Sequence, residues 1–280
     1  MNRTRPVQAP KASLRAWRPG PFLLTQLALH VAALVLLLIA PQEWRWSATT
    51  VLLSQLMLMV AGLWPRSTCL GANLVRLPTI AVQRAEVAIT IDDGPDPEVT
   101  PQVLAILAQH GASATFFCIG ERAAAHPELC QRMLAAGHRI ENHGAHHPTL
   151  LSLSGPAAWR REILAGQQIL HNITDQPPRF YRAVAGLRNP FLDPVLHGLG
   201  LQLASWTRRG FDTRERNPEK VLQRLTHQLA AGDILLLHDG NAARTPAGEA
   251  MILNVLPRLL EAIQARGLTP VTLAHACNLH

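Results

Sequence analysis

Charge is scarce in this chain. Only 16% of its 280 residues are Asp, Glu, Lys or Arg, while 48% are hydrophobic; soluble domains average roughly 25% charged. That balance excludes a disordered chain and points to membrane segments. Acidic residues are almost missing from positions 1–85, which hold nine Lys/Arg and one Glu, whereas positions 86–280 hold seventeen Lys/Arg and eighteen Asp/Glu. The formal charge of +7 therefore belongs to the N-terminal part, and the larger part is close to neutral. Nucleic-acid binding needs phosphate-neutralising charge clustered on the binding domain, so that class is disfavoured. Cysteines are few: Cys69, Cys118, Cys130 and Cys277 have no close pairing, which speaks against a disulfide framework or a Cys-based zinc site.

Two stretches lack Asp, Glu, Lys and Arg altogether, 22–40 and 46–64, nineteen residues each. At about 1.5 Å per residue each is just under the roughly 30 Å of a hydrocarbon core. Ser54 and Gln55 weaken the second. Trp17, Trp44, Trp46 and Trp64, four of the six tryptophans, flank these stretches, where indole rings favour the lipid–water boundary. The competing reading, a cleaved signal peptide followed by a core helix, lacks a small-residue cleavage site before Pro41. The expected organisation is a basic tail (1–20), a transmembrane hairpin (21–64), a linker (65–85) and a catalytic domain (86–280). Arg3, Arg5, Lys11, Arg15 and Arg18 precede the first span, only Arg45 lies in the link, and Arg66, Arg76 and Arg84 follow the second. Under the positive-inside rule both ends, and the domain, are expected on the cytoplasmic face of the inner membrane; if the second stretch does not span, the domain lies outside.

Beyond residue 85 short apolar runs alternate with amphipathic stretches. Strands are expected at 87–91, 114–119, 139–142, 201–205, 234–237 and 270–273, and helices at 101–109, 127–136, 157–171, 218–229 and 251–265. Such alternation implies an α/β fold with a largely parallel sheet, open or closed as a barrel. In these folds chemistry gathers at the carboxyl ends of the strands. Asp92 and Asp93 directly follow the first strand, in Thr90-Ile-Asp-Asp-Gly-Pro95. His143 and His147 follow the third; four residues apart, they could share one face of a helical turn and converge on one ion, with His146 pointing elsewhere. Two imidazoles and a carboxylate suit a divalent ion, zinc first and cobalt or manganese as alternatives, with open positions for water and substrate. His238 ends another apolar strand and is a proton-donor candidate.

These motifs resemble those of NodB-type polysaccharide deacetylases, carbohydrate esterase family four. That family's signature runs Thr-Phe-Asp-Asp-Gly-Pro, His-Ser/Thr-x-x-His, Arg-x-Pro-Tyr, an Asp a few residues past a Trp, and Leu-x-His. Here Thr90–Pro95, His143–His147, Arg182–Ala185, Trp206 to Asp212 and Leu236–His238 stand in the same order. The resemblance implies a distorted (β/α) barrel of the NodB type and a hydrolase of non-peptide carbon–nitrogen bonds, removing an acyl group from an amino sugar of a glycan or lipid-linked saccharide. It implies that Asp93, His143 and His147 hold the metal, that Asp92 is the general base with Arg182 paired to it, and that His238 protonates the leaving amine with Asp212 orienting it. Ala185 would supply a backbone oxyanion donor, and Leu236 and Trp206 would line the substrate pocket. Departures cluster on the sugar-binding rim: Val184 and Ala185 replace Pro and Tyr, Thr213 a Trp, Arg209 an Asp, and Gly144 a Ser or Thr. They suggest a substrate other than a plain polymer of N-acetylglucosamine. The alternative is a catalytically silent carbohydrate-binding membrane protein; an intact Asp92 and His238 argue against it.

Overall fold

The computed structural model describes residues 16–279; the basic positions Arg3, Arg5, Lys11 and Arg15 lie outside them. Eight strands form one wholly parallel sheet: β1 (Glu86–Asp92), β2 (Thr115–Cys118), β3 (Arg139–Asn142), β4 (Phe180–Tyr181), β5 (Gln202–Leu203), β6 (Arg208–Arg209), β7 (Ile234–His238) and β8 (Thr269–Val271), in the order β5-β4-β3-β2-β1-β7-β6 with β8 beside the start of β1. Every residue of β1 is buried. A strand covered on both faces reads as a continuous apolar run, which is why 87–91 is legible in the sequence. The two edge strands, β5 and β6, are consecutive in the chain, so residues 204–207 bridge the gap and curl the sheet into a distorted barrel. Leu74 pairs with Ala204 at the same opening.

Helices α1 (Pro21–Ile39) and α2 (Trp44–Leu63) precede the sheet. Around it lie α3 (Thr79–Gln83), α4 (Thr100–Gln109), α5 (Gly120–Ala125), α6 (Pro127–Ala135), α7 (Pro156–Thr174), α8 (Leu192–Leu199), α9 (Pro218–Thr226), α10 (Met251–Gln264) and α11 (Leu273–Ala276). Proline opens α6, α7 and α9, where its missing N–H costs nothing. The main core lies under α4, α9 and α10, with Val103, Leu107, Val255 and Leu259 against Ile89, Ile91, Leu235 and Leu237. Each such side chain contributes about 1.5–3 kcal/mol on burial.

Both α1 and α2 are long and apolar enough to cross a membrane, and only 11% and 22% of their most apolar windows are buried. They are not core helices. The residues that weakened the second stretch bond across the hairpin: Ser54 donates to Gln26 Oε1 (2.6 Å), and Gln55 Nε2 meets His30 Nε2 at 3.0 Å. Such pairs satisfy polar groups within the apolar helices themselves.

The segment 65–85 is not a free linker. It contains α3, buries Leu70, Leu77 and Ala81, bonds Leu77 N to Gly232 O (2.8 Å) and pairs Arg76 with Asp233 (3.1 Å). It packs there because the curled sheet exposes an apolar end around Ala88, Ala204 and Ile234 that Leu77 and Ala81 cover. Strands β4 and β6 and helices α3, α5, α8 and α11 also lie outside the expected elements; most are too short for a readable period.

Candidate active site

Register brings the candidate residues to one end of the sheet. Asp92 is level with His238 on β7 and with Phe117 on β2, and Cys118 is level with Asn142 just before His143. Asp93 N donates to Phe117 O, His143 N to Cys118 O, and Arg182 N to Asn142 O. Four strand ends therefore present Asp92-Asp93, His143, Arg182 and His238 side by side.

Asp93 Oδ1 lies 3.1 Å from His143 Nε2 and 3.2 Å from His147 Nε2, and the three offer ligand atoms within 4.8 Å of one another. His143 Nδ1 donates to Arg182 O (2.8 Å). A carbonyl can only accept, so the proton sits on Nδ1, and in the neutral ring Nε2 turns a lone pair toward Asp93. Asp93 Oδ1 is buried and has no hydrogen-bond donor. Burial pulls the His143 imidazole down, but the Asp93 and Asp92 carboxylates override it and raise it. The same competition holds Asp93, which burial pushes up, well below the usual carboxylate range through His143, His147 and His238. The cluster calls for a positive charge at one point, and two imidazole nitrogens with one carboxylate oxygen fit a divalent cation of borderline character.

The pair is not assembled by a helical turn, as its spacing suggested. Gly144 (φ 87°) and His147 (φ 58°) are left-handed, and that loop folds both rings back over Asp93. A Cβ at Gly144 would come within 2.8 Å of Glu162 Oε1, the oxygen that accepts from His146 N and His147 N. With that contact, a φ of 87°, which L side chains rarely adopt, suits glycine where Ser or Thr was expected. His146 points outward to Glu162 Oε2 (3.0 Å). Asp93 (φ 74°) and Ala185 (φ 53°) are left-handed as well; such strain, of order 1 kcal/mol or more per residue, gathers at sites that must aim a group.

Asp92 stands beside this cluster, outside it. Its Oδ1 accepts from Arg182 Nη1 (2.7 Å), and the same nitrogen donates to Thr90 Oγ1 (2.8 Å). Arg182 is 1% exposed, donates further to Ala204 O (3.1 Å) and Ser205 O (2.9 Å), and lies 4.0 Å over the Phe117 ring. Burial lowers its pKa, and Asp92 opposes that. Opposite, His238 Nδ1 and N engage the two oxygens of Asp212 at 2.9 and 2.7 Å. Burial pulls the His238 imidazole down, but Asp212 first, then Asp92 and Asp93, raise it to about 9. Bonded through Nδ1, His238 keeps Nε2 for other work. Ala185 is exposed on the loop after β4. Leu236 and Trp206 are 1% and 6% exposed; they form the floor behind Arg182 and offer no open stacking face. Arg209 lies over the rings of Trp206 and Phe211 at 5.3 and 5.2 Å.

Three supporting residues gave no sequence signal. Asn241 Nδ2 donates to Asp93 Oδ2 (2.9 Å), Arg122 Nη1 to Asp93 O (2.8 Å), and Glu162 holds the loop of His147. Asn241 stands two residues beyond Asp239, Arg122 in a short helix and Glu162 mid-helix in α7; none belongs to a pattern.

Residues 80–204 match the family model for polysaccharide deacetylase. A chitooligosaccharide deacetylase of Bradyrhizobium sp. is 32% identical over 206 residues, 68% of this chain and 94% of the relative. A peptidoglycan-N-acetylglucosamine deacetylase of Bacillus cereus is 36% identical over 175 residues, 62% of this chain and 81% of that one. Among solved structures, a peptidoglycan N-acetylglucosamine deacetylase superposes with TM-score 0.66 at 27% identity, covering 74% of this chain and 94% of the other.

Proposed function

This chain belongs to the polysaccharide deacetylase family, and on that premise we propose that it removes the N-acetyl group from an amino sugar through the residues gathered at the strand ends. Asp93, His143 and His147 would hold a divalent ion, zinc by its donor set, and when bound that ion polarises the amide carbonyl and makes water a nucleophile near neutral pH. Asp92, its Oδ1 held by Arg182, keeps Oδ2 to take the proton as water oxygen attacks the carbonyl carbon. The N–H of Ala185, a donor that no side-chain change removes, faces the developing oxyanion. As the carbon–nitrogen bond breaks, His238 Nε2 delivers a proton to the amine while Asp212 fixes the ring; acetate and a free amino sugar leave. Helices α1 and α2 would anchor the enzyme as a membrane hairpin with both ends cytoplasmic, as the basic flanks favour.

The observation that carries this reading is the division of two adjacent carboxylates: Asp93 joins the imidazole cluster and Asp92 is held out of it by Arg182. Acetate release from a soluble N-acetylchitooligosaccharide tests it. Asp92→Asn should lower turnover by about 10²–10⁴-fold with metal content unchanged; turnover near that of the wild type would contradict the base assignment.

A further inference from the structure

The end of α2 is built into the loop that carries Ala185. Arg188 N donates to Gly62 O (3.2 Å), and a Cβ at Gly62 would lie 2.3 Å from Arg188 O. Pro65, just past α2, packs on Gly186, where a Cβ would meet it at 2.5 Å, and Pro65 O accepts from Ser205 Oγ (2.8 Å). The other hairpin end is tied down too, since Trp17 Nε1 donates to Asp193 Oδ2 (2.7 Å). Trp17 and Trp64 thus lie at the domain end of the hairpin, and Trp44 and Trp46 at its far tip. That is the double girdle of a hairpin crossing a bilayer. The carboxyl-end face of the sheet, where the site opens, is the face that the hairpin enters.

Beside the end of α2, the loops after β3 and β4 expose large apolar side chains. Leu150 and Leu153, three and six residues beyond His147, are 69% and 80% exposed, and Phe191, six beyond Ala185, is 47% exposed. Leu153 and Phe191 form one wall of a groove of about 390 Å³ whose other wall is α2, through Leu58 and Met59. Part of the polarity of these loops is satisfied internally. Asn189 donates to Ser152 O (2.9 Å) and Ser154 O (2.8 Å) and accepts from Trp159 Nε1 (3.0 Å) and Phe191 N (3.1 Å). Backbone groups satisfied internally tolerate a lipid surface. The patch is continuous with the exposed apolar flank of α2, so the environment that covers that flank also covers the patch.

We infer that the domain works with its mouth against the bilayer, Leu150, Leu153 and Phe191 immersed in the lipid interface, and that its substrate is an amino sugar carried on a lipid. This rests on the hydrolase reading above and names where that hydrolase meets its substrate. Apolar side chains at the interface bind lipid in proportion to the area they bury, and charge at those positions opposes it.

The test uses the full chain in nanodiscs of phosphatidylethanolamine and phosphatidylglycerol with two substrates, a soluble N-acetylchitooligosaccharide and N-acetylglucosamine linked to a polyisoprenyl phosphate in the same membrane. The double variant Leu150→Glu/Leu153→Glu, and Phe191→Glu separately, should lower turnover of the lipid-linked substrate roughly tenfold and leave the soluble one nearly unchanged. Equal loss on both substrates, or none on either, overturns the inference; a wild type active on the soluble sugar alone overturns it while the hydrolase reading stands. A nitroxide on Leu153→Cys, with the exposed Cys69 changed to Ser, reads the rim independently of turnover. Collisions favouring dissolved oxygen over a water-soluble nickel chelate are expected, and the reverse order contradicts lipid contact.

Discussion

Asp212→Asn isolates the electrostatic control of the proposed acid. In the wild type His238 is raised to about 9, with Asp212 the leading opponent of burial and Asp92 and Asp93 behind it. A raised imidazole keeps its proton below that value and loses it as pH climbs through it, so turnover should hold to about pH 9 and fall above. The rise from an ordinary value of about 6.5 amounts to roughly 3 kcal/mol at 1.36 kcal/mol per unit. Asp212 supplies the largest favourable share, so the Asn variant should lose one to two units, about 1.4–2.7 kcal/mol. Burial, no longer opposed by a direct partner, draws the ring the same way. The amide has a single oxygen, so it can accept from His238 Nδ1 or from His238 N but not from both; a modest loss at every pH is therefore expected on top of the shift. The assay is kcat/KM against pH from 6 to 10 on a soluble N-acetylchitooligosaccharide with the metal-loaded chain. The alkaline limb should move down by one to two units while activity near pH 6 changes least. A uniform loss at every pH with the limb in place would refute the assignment of His238 as the acid.

Asn241→Ala removes the donor to Asp93 Oδ2; by analogy with partners of metal ligands elsewhere it should weaken metal affinity by about 10–100-fold, read by competition with a chromogenic chelator. Gly144→Ser forces a Cβ toward Glu162 at a φ of 87°. It should cost about 1–2 kcal/mol and lower the melting temperature by several degrees, whereas an unchanged melt would show that the loop yields freely. Dialysis of the wild type against a chelator should abolish acetate release, and added zinc should restore it.

The parts of the site that could be read from sequence are those in which an apolar strand ends abruptly in polar chemistry. Asp92 and Asp93 end β1 and His238 ends β7, and in a parallel sheet the register makes such ends neighbours. His143 and His147 were legible as a pair, but their spacing suggested a helical face where the chain uses left-handed residues at Gly144 and His147. Period says nothing about such a turn; only the glycine hints at it. Asn241, Arg122 and Glu162 reach their partners singly from distant parts of the chain, and no local pattern marks a residue that acts through one hydrogen bond. The two-residue strands β4 and β6 span a single period of alternation, too little to show a repeat. Residues 65–85 looked like a linker because Pro65, Gly71 and Pro78 cut them into short pieces, yet Leu70, Leu77 and Ala81 are enough to seal the open end of the curled sheet.

One aspartate and two imidazoles should hold a single ion. X-ray absorption on the zinc-loaded chain measures this directly. One zinc per chain is expected, with two imidazole nitrogens at about 2.0–2.1 Å and carboxylate oxygen at about 2.0–2.2 Å, and with one imidazole missing in His147→Ala. A spectrum without imidazole scattering, or one unaltered in that variant, would contradict the account.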